Sequence, residues 1–148
     1  MSLSTGVQAP DFELMGVDLI KHSLSEYRGK WVLLYFYPKD DTPGCTKEAC
    51  NFRDSFDELN EVITILGVST DDIDSHRKFK EKYNLPFMIL SDPEKQVIHL
   101  YQADGTLFPK RTSFLINPEG IIAKVYDKVN VNTHASQILR DIKGLQKE

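Results

Sequence analysis

The sequence predicts an α/β domain in which helices flank a central mixed β-sheet, and three observations predict it. Residues 31–37 (WVLLYFY) and 62–68 (VITILGV) are nearly unbroken apolar, β-prone runs, the mark of strands covered on both faces. Polar segments of helical length alternate with these runs, as they do when helices cross over a sheet. Two later runs flank Asn117-Pro118-Glu119-Gly120, a turn signal that predicts an antiparallel hairpin and hence strands of both directions.

The elements follow in order. Short extended segments at 12–14 and 19–22 can pair as an N-terminal β-hairpin. The run at 31–37 is the central strand, and Pro38 ends it. Residues 43 to about 60 read as one helix, followed by the strand at 62–68. A second helix covers 72 to about 83, with Asp71 and Asp72 available to cap its start. Residues 87–90 (FMIL) form a shorter strand after Pro86, and 112–116 with 121–126 form the hairpin. A last helix spans about 133–145, with Ile138, Leu139, Ile142 and Leu145 along one stripe. No repeat, low-complexity stretch or linker divides the chain, so residues 1–148 read as a single domain.

Bulk properties narrow the function. A hydrophobic fraction of 41% with 27% charged residues is ordinary for a globular protein. The net charge of -4, with lysines and arginines dispersed among acids, gives no electrostatic basis for nucleic acid or an anionic membrane as partner. The longest apolar run falls far short of the roughly 20 residues that a membrane helix needs. The opening residues, MSLSTGVQAPDF, resemble no secretory leader, which predicts a cytoplasmic protein. Two cysteines are too few for a secreted disulfide scaffold, so the pair calls for a chemical explanation.

That pair, Cys45 and Cys50, follows the central strand in PKDDTPGCTKEAC. Proline is favoured at the start of a helix, so Thr42, Pro43 and Gly44 put Cys45 in the first turn. Free N–H groups and the positive end of the helix dipole favour a thiolate at such a position. At about 100° per residue, Ala49, Phe52, Phe56 and Leu59 fall within roughly 40° of Cys45, a stripe that must face the core. Cys50 lies about 140° away, nearer solvent. Five helical residues separate two Cα atoms by roughly 8 to 9 Å, whereas a disulfide needs about 4.4 to 6.8 Å. A static bridge is therefore disfavoured, and a bond made and broken through local unwinding is favoured. Two inert core thiols remain an alternative. No metal is expected, because the cysteine spacing is not that of common zinc sites and His22, His76, His99 and His134 are scattered. His76 lies on a polar helix and is expected to be solvated, and Tyr37 either borders the site or belongs to the core.

At these residues the chain resembles the peroxiredoxins, and among them the bacterioferritin comigratory protein or Q-type group. The family pattern of proline, three residues, threonine, two residues and cysteine matches Pro38, Thr42 and Cys45. A family arginine at the start of a late strand matches Arg111 in KRTSFLINPEG. APDFEL near the start and GVSTDDIDSHRKFKEKYNLPFMILSD in the middle extend the likeness along nearly the whole chain. The resemblance implies a thioredoxin-like fold and a peroxidase that reduces hydrogen peroxide and organic hydroperoxides without a cofactor. It also implies that Cys45 is the peroxidatic residue and Cys50 the resolving one, with thioredoxin or a related dithiol protein as reductant. Since both cysteines lie on one helix, no second chain is required and a monomer is expected.

Peroxide attack needs more than an ionised sulfur. For a thiol in general, moving the pKa from ~8.5 to ~6 raises the thiolate fraction at pH 7 roughly thirty-fold. Intrinsic nucleophilicity falls about ten-fold in return, so only a factor of a few survives. The remainder must come from groups that align the peroxide and stabilise charge on its leaving oxygen. Thr42 and Arg111 are the candidates, with the backbone N–H groups of Gly44 and Cys45, while Pro38 shapes the pocket. Read from spacing alone, Thr42 is equally a helix cap and Arg111 equally a surface ion pair. Glu48, one turn after Cys45, either orients Arg111 or serves the helix dipole. Two rival functions stand beside the peroxidase. A disulfide oxidoreductase usually places its cysteines two residues apart, and a peroxide sensor would bind or release a partner on oxidation.

Overall fold

In the computed structural model, which describes residues 3–146, the chain opens with an antiparallel hairpin of β1 (Glu13–Gly16) and β2 (Lys21–Ser23). A single 3-10 turn, Leu24–Tyr27, leads to β3 (Val32–Phe36), every residue of which is buried. Then come α1 (Pro43–Asp54), α2 (Phe56–Asn60), β4 (Thr64–Ser69), α3 (Ile73–Tyr83), β5 (Met88–Ser91) and α4 (Gln96–Leu100). The hairpin of β6 (Thr112–Ile116) and β7 (Ile122–Tyr126) precedes the final helix, α5 (His134–Gln146).

The strands form one mixed sheet in the order β2-β1-β5-β4-β3-β6-β7. β3 pairs in parallel with β4, the middle strand, and antiparallel with β6, so it lies in the interior of the sheet. Its alternation divides the core in two. Leu33 and Tyr35 face Ala49, Phe52, Phe79, Ile138 and Ile142 from α1, α3 and α5. Leu34 and Phe36 face Val97 and Ile98 of α4, together with Phe12 and Leu24 of the N-terminal region. Burial on both faces explains why the run at 31–37 carries no polar alternation.

Two expectations need correction. The helix predicted over 43–60 is broken: Ser55 leaves helical geometry (φ -109°, ψ 13°), ending α1 and starting α2. The apolar stripe crosses the break, with Leu59 fully buried and Phe56 packed against the core, so burial, not helical continuity, produces the periodicity. Helix α4 was not anticipated, being too short for a periodic signal. The Asp92 carboxylate holds its start, accepting from the N–H groups of Gln96, Val97 and Ile98 at 2.8–3.0 Å.

Candidate active site

Strand β3 ends at Phe36, and after Pro38 the next four residues carry the chain across the C-terminal edge of the strand into α1. Thr42 occupies the N-cap position and Pro43 the first helical turn. The Thr42 hydroxyl does not cap the helix; it donates to the Lys39 carbonyl at 2.8 Å. The capping reading of Thr42 is therefore excluded, and its side chain leaves the N–H groups of the first turn unoccupied.

Cys45 is only 2% exposed and Ala49 and Phe52 are fully buried, so the stripe inferred from helical spacing faces the core. Cys50, on the other flank, is half-buried, and burial pushes its thiol up from the ordinary cysteine value. Both are free thiols. The residue after Cys50 joins α1 to α5: Asn51 donates to the Asn132 carbonyl at 3.0 Å and accepts from the Ala135 N–H at 2.8 Å.

Arg111, immediately before β6, reaches back to α1. Its Nη2 donates to Cys45 Sγ at 3.4 Å, and its Nη1 donates to Glu48 Oε1 at 2.8 Å. It is thus no surface ion pair. Glu48 is 0% exposed, the opposite of a solvated acid serving a dipole. Burial pushes its carboxyl up to about 7, against the pull of Arg111. Burial in turn opposes the charge on Arg111, but the acid and the sulfur outweigh it, and its pKa rises. Glu48 Oε2 and the Tyr35 hydroxyl are both buried without a hydrogen-bond partner among the described residues. The position of Glu48 carried a signal that sequence reading underused. Three residues after Cys45 it lies about 60° away, on the buried face, where an acid requires a partner.

Gly44 lies against the same guanidinium. A Cβ there would come within 2.9 Å of Arg111 Nη2, the mobile tip of a long side chain. Gly44→Ala is therefore expected to leave the unfolding midpoint nearly unchanged, because the tip can move aside. It should slow peroxide oxidation of Cys45 about ten-fold, since the donor moves off the sulfur. An oxidation rate equal to wild type would show that this contact is dispensable.

His76 was expected in solvent and is instead fully buried. Its Nδ1 lies 2.6 Å from Asp40 Oδ2 and its Nε2 lies 3.0 Å from the Leu90 carbonyl. Asp40 also accepts from the Tyr37 hydroxyl at 2.5 Å and from the Ser75 hydroxyl at 2.9 Å. Tyr37 is therefore core, with its polar end in this cluster. Asp40, Asp71 and His76 bring ligand-type atoms within 4.8 Å of one another. Their facing atoms are already engaged by hydrogen bonds within the protein, an arrangement that fits a structural cluster and not an open metal site.

The cysteine at the helix start thus accepts from Arg111, the arginine that the family resemblance singled out, and the buried Glu48 holds the other end of that guanidinium. The AhpC/TSA family pattern matches residues 5–125. The chain belongs to the AhpC/TSA family. It is 41% identical to the peroxiredoxin Bcp of Bacillus subtilis, with all of both chains covered. It is 37% identical to the chloroplastic peroxiredoxin Q of Oryza sativa subsp. japonica, over 97% of this chain and 68% of that one. Among solved structures, a mutant of Xylella fastidiosa PrxQ superposes with a TM-score of 0.92 at 29% identity, covering 99% of each chain. The bacterioferritin comigratory protein of Xanthomonas campestris, studied for alkyl peroxide reduction, superposes with a TM-score of 0.88 at 30% identity. That match covers 95% of this chain and 98% of the other. The fold is accordingly thioredoxin-like, and this member of the AhpC/TSA family is a thiol peroxidase.

Proposed function

We propose that Cys45 is the sulfur oxidised by peroxide and that Cys50 resolves the product as an intramolecular disulfide. The observation that carries this reading is the Arg111 N–H aimed at Cys45 Sγ, with Glu48 holding the other end of the guanidinium. In the first step the Cys45 sulfur attacks one peroxide oxygen, the O–O bond breaks, and a sulfenic acid forms on sulfur. The leaving oxygen departs as hydroxide or alkoxide and takes a proton to become water or an alcohol. Arg111 and the first-turn N–H groups of Gly44 and Cys45 stabilise the charge that develops. The Thr42 hydroxyl has only one proton, bound to the Lys39 carbonyl, so towards peroxide it offers lone pairs. It therefore accepts from the peroxide O–H and turns the neighbouring oxygen towards the sulfur. Pro38, half-buried at the strand end, bounds the site and donates nothing.

In the second step the Cys50 sulfur attacks the sulfenic acid, a disulfide forms and water leaves. α1 runs unbroken through both cysteines, so its Cys50 end must unwind to bring the sulfurs within bonding distance. Thioredoxin or a similar dithiol then reduces the disulfide. Since the cycle needs only one helix, we take a monomer as the working unit, acting on hydrogen peroxide and organic hydroperoxides. Among the described residues no helix is long and apolar enough to cross a membrane, and a reducing cytoplasm suits a cycle that begins from free thiols.

The test is stopped-flow oxidation followed by multiple turnovers. Cys50→Ser is expected to retain one oxidation at close to the wild-type rate, because that thiol touches none of the activating groups. Recycling through thioredoxin should then fall at least ten-fold, with the sulfenic acid trapped by dimedone. Undiminished turnover in Cys50→Ser would remove Cys50 from the cycle.

A further inference from the structure

We infer that Asp71, supported by the buried Asp40–His76 pair, is a positioning residue that aims the Thr42 hydroxyl. The inference rests on the role proposed above for Thr42 and adds the device that sets its direction. The Lys39–Asp40 peptide is held at both ends. Its carbonyl accepts from the Thr42 hydroxyl at 2.8 Å, and its N–H donates to Asp71 Oδ2 at 2.8 Å. Carbonyl and N–H lie in one rigid plane. Turning that plane to release the N–H therefore swings away the acceptor that orients the hydroxyl.

Asp71 is itself fixed. The Ser69 hydroxyl donates to the same Oδ2 at 2.7 Å, and the Asp71 carbonyl accepts from the Ser91 hydroxyl at 2.5 Å. These bonds tie it to the ends of β4 and β5. On the far side of the peptide, the Asp40 carboxylate is gripped by Tyr37, Ser75 and His76. The next residue, Asp41, adopts left-handed backbone (φ 55°), and its carboxylate is held by Lys82 at 2.8 Å and Tyr83 at 2.7 Å. A non-glycine residue in that region persists where its surroundings over-determine it. Residues 39–42 are thus clamped by α3 and by the residues around its start. Neither Asp71 nor His76 has a contact with Cys45 or Arg111 among the bonds described, so the clamp acts on the reaction through Thr42.

Two reactions of the same sulfur separate this role from a general one. Peroxide oxidation requires an aimed Thr42; alkylation by iodoacetamide requires only a reactive, accessible thiol. Both are measured on the full chain in a Cys50→Ser background. Asp71→Ala is expected to slow oxidation at least ten-fold while alkylation stays within three-fold. Asp71→Asn, which still offers an oxygen to the Asp40 N–H, should return both rates to within three-fold of the parent. In a Thr42→Val background, Asp71→Ala should cost no more than a further two-fold, because both changes remove one effect. Should Asp71→Ala not fold, Asp71→Ser, too short to reach that N–H, is read on the same two reactions. Oxidation at the parent rate, oxidation and alkylation falling in step, or losses that multiply with Thr42→Val would each overturn the positioning role. A silent Thr42→Val would instead remove the reading of Thr42 itself, and with it the need for an aiming device.

Discussion

Cys45→Ser is expected to abolish peroxide-dependent oxidation, lowering its second-order rate at least ~10³-fold. Cysteine is already a few per cent ionised near neutrality and is intrinsically a strong nucleophile, whereas a serine hydroxyl needs an adjacent base. The substitution exchanges one small side chain for another in the first turn of α1, so the fold should persist. Arg111 retains Glu48 as partner at 2.8 Å. The check is stopped-flow mixing of the reduced chain with hydrogen peroxide, scored by sulfenic acid trapping. Oxidation of Cys50 alone at the wild-type rate would shift the reactive centre to the wrong sulfur and end the assignment.

The second large effect is at Arg111. Arg111→Met removes the donor to the sulfur while keeping much of the side-chain volume. Loss of one preorganised donor to developing charge typically costs ~10²–10³ in rate, and that range is expected here. A second consequence separates Arg111 from a simple anchor. Glu48 would remain fully buried with no cation beside it. Its carboxyl already sits up at about 7 because burial outweighs Arg111, so without the arginine it rises further. In the unfolded chain a glutamate titrates near 4.3. The folded state therefore holds the extra proton, and stability is lost as pH rises through the folded value. Arg111→Met should cost up to about 3 kcal/mol at pH 8 and distinctly less at pH 5.5. Adding Glu48→Gln should restore the stability at pH 8 without restoring the oxidation rate. Urea unfolding at the two pH values, beside the kinetics, provides the check; recovery of both properties together would contradict a direct role for Arg111 at the sulfur.

The parts of this architecture that sequence made visible are those written in short-range patterns. The run at 31–37 announces a strand buried on both faces, and the turn at 117–120 announces a hairpin. Gly120 adopts φ +86° there, and the Asn117 side chain accepts from the Glu119 and Ile121 N–H groups at 3.0 Å. Helical spacing alone put Cys45 on the core face and Cys50 off it. What stayed hidden depends on pairings distant in sequence. His76 and Asp40 are 36 residues apart, and each looks like a solvated polar residue until β5 and α3 close over them. Arg111 is 66 residues from Cys45, and only family resemblance, not spacing, connected it to the sulfur. Glu48 falls between these cases. Its angle on the helix was legible, but an ionisable side chain on a buried face reads as an error until its counter-ion is found. The break at Ser55 left no local mark because the apolar stripe continues through it.

Asn51 occupies the position next to Cys50, and its amide stitches α1 to the first turn of α5 through Asn132 and Ala135. On the proposed cycle, Cys50 cannot swing towards Cys45 while its neighbour stays fastened there. Each catalytic round would then open and reseal a seam between two helices, leaving the Ala135 amide momentarily without its cap. The strand-anchored half of the centre, from Pro38 to Thr42, would stand still like an anvil while the travel falls to the other half.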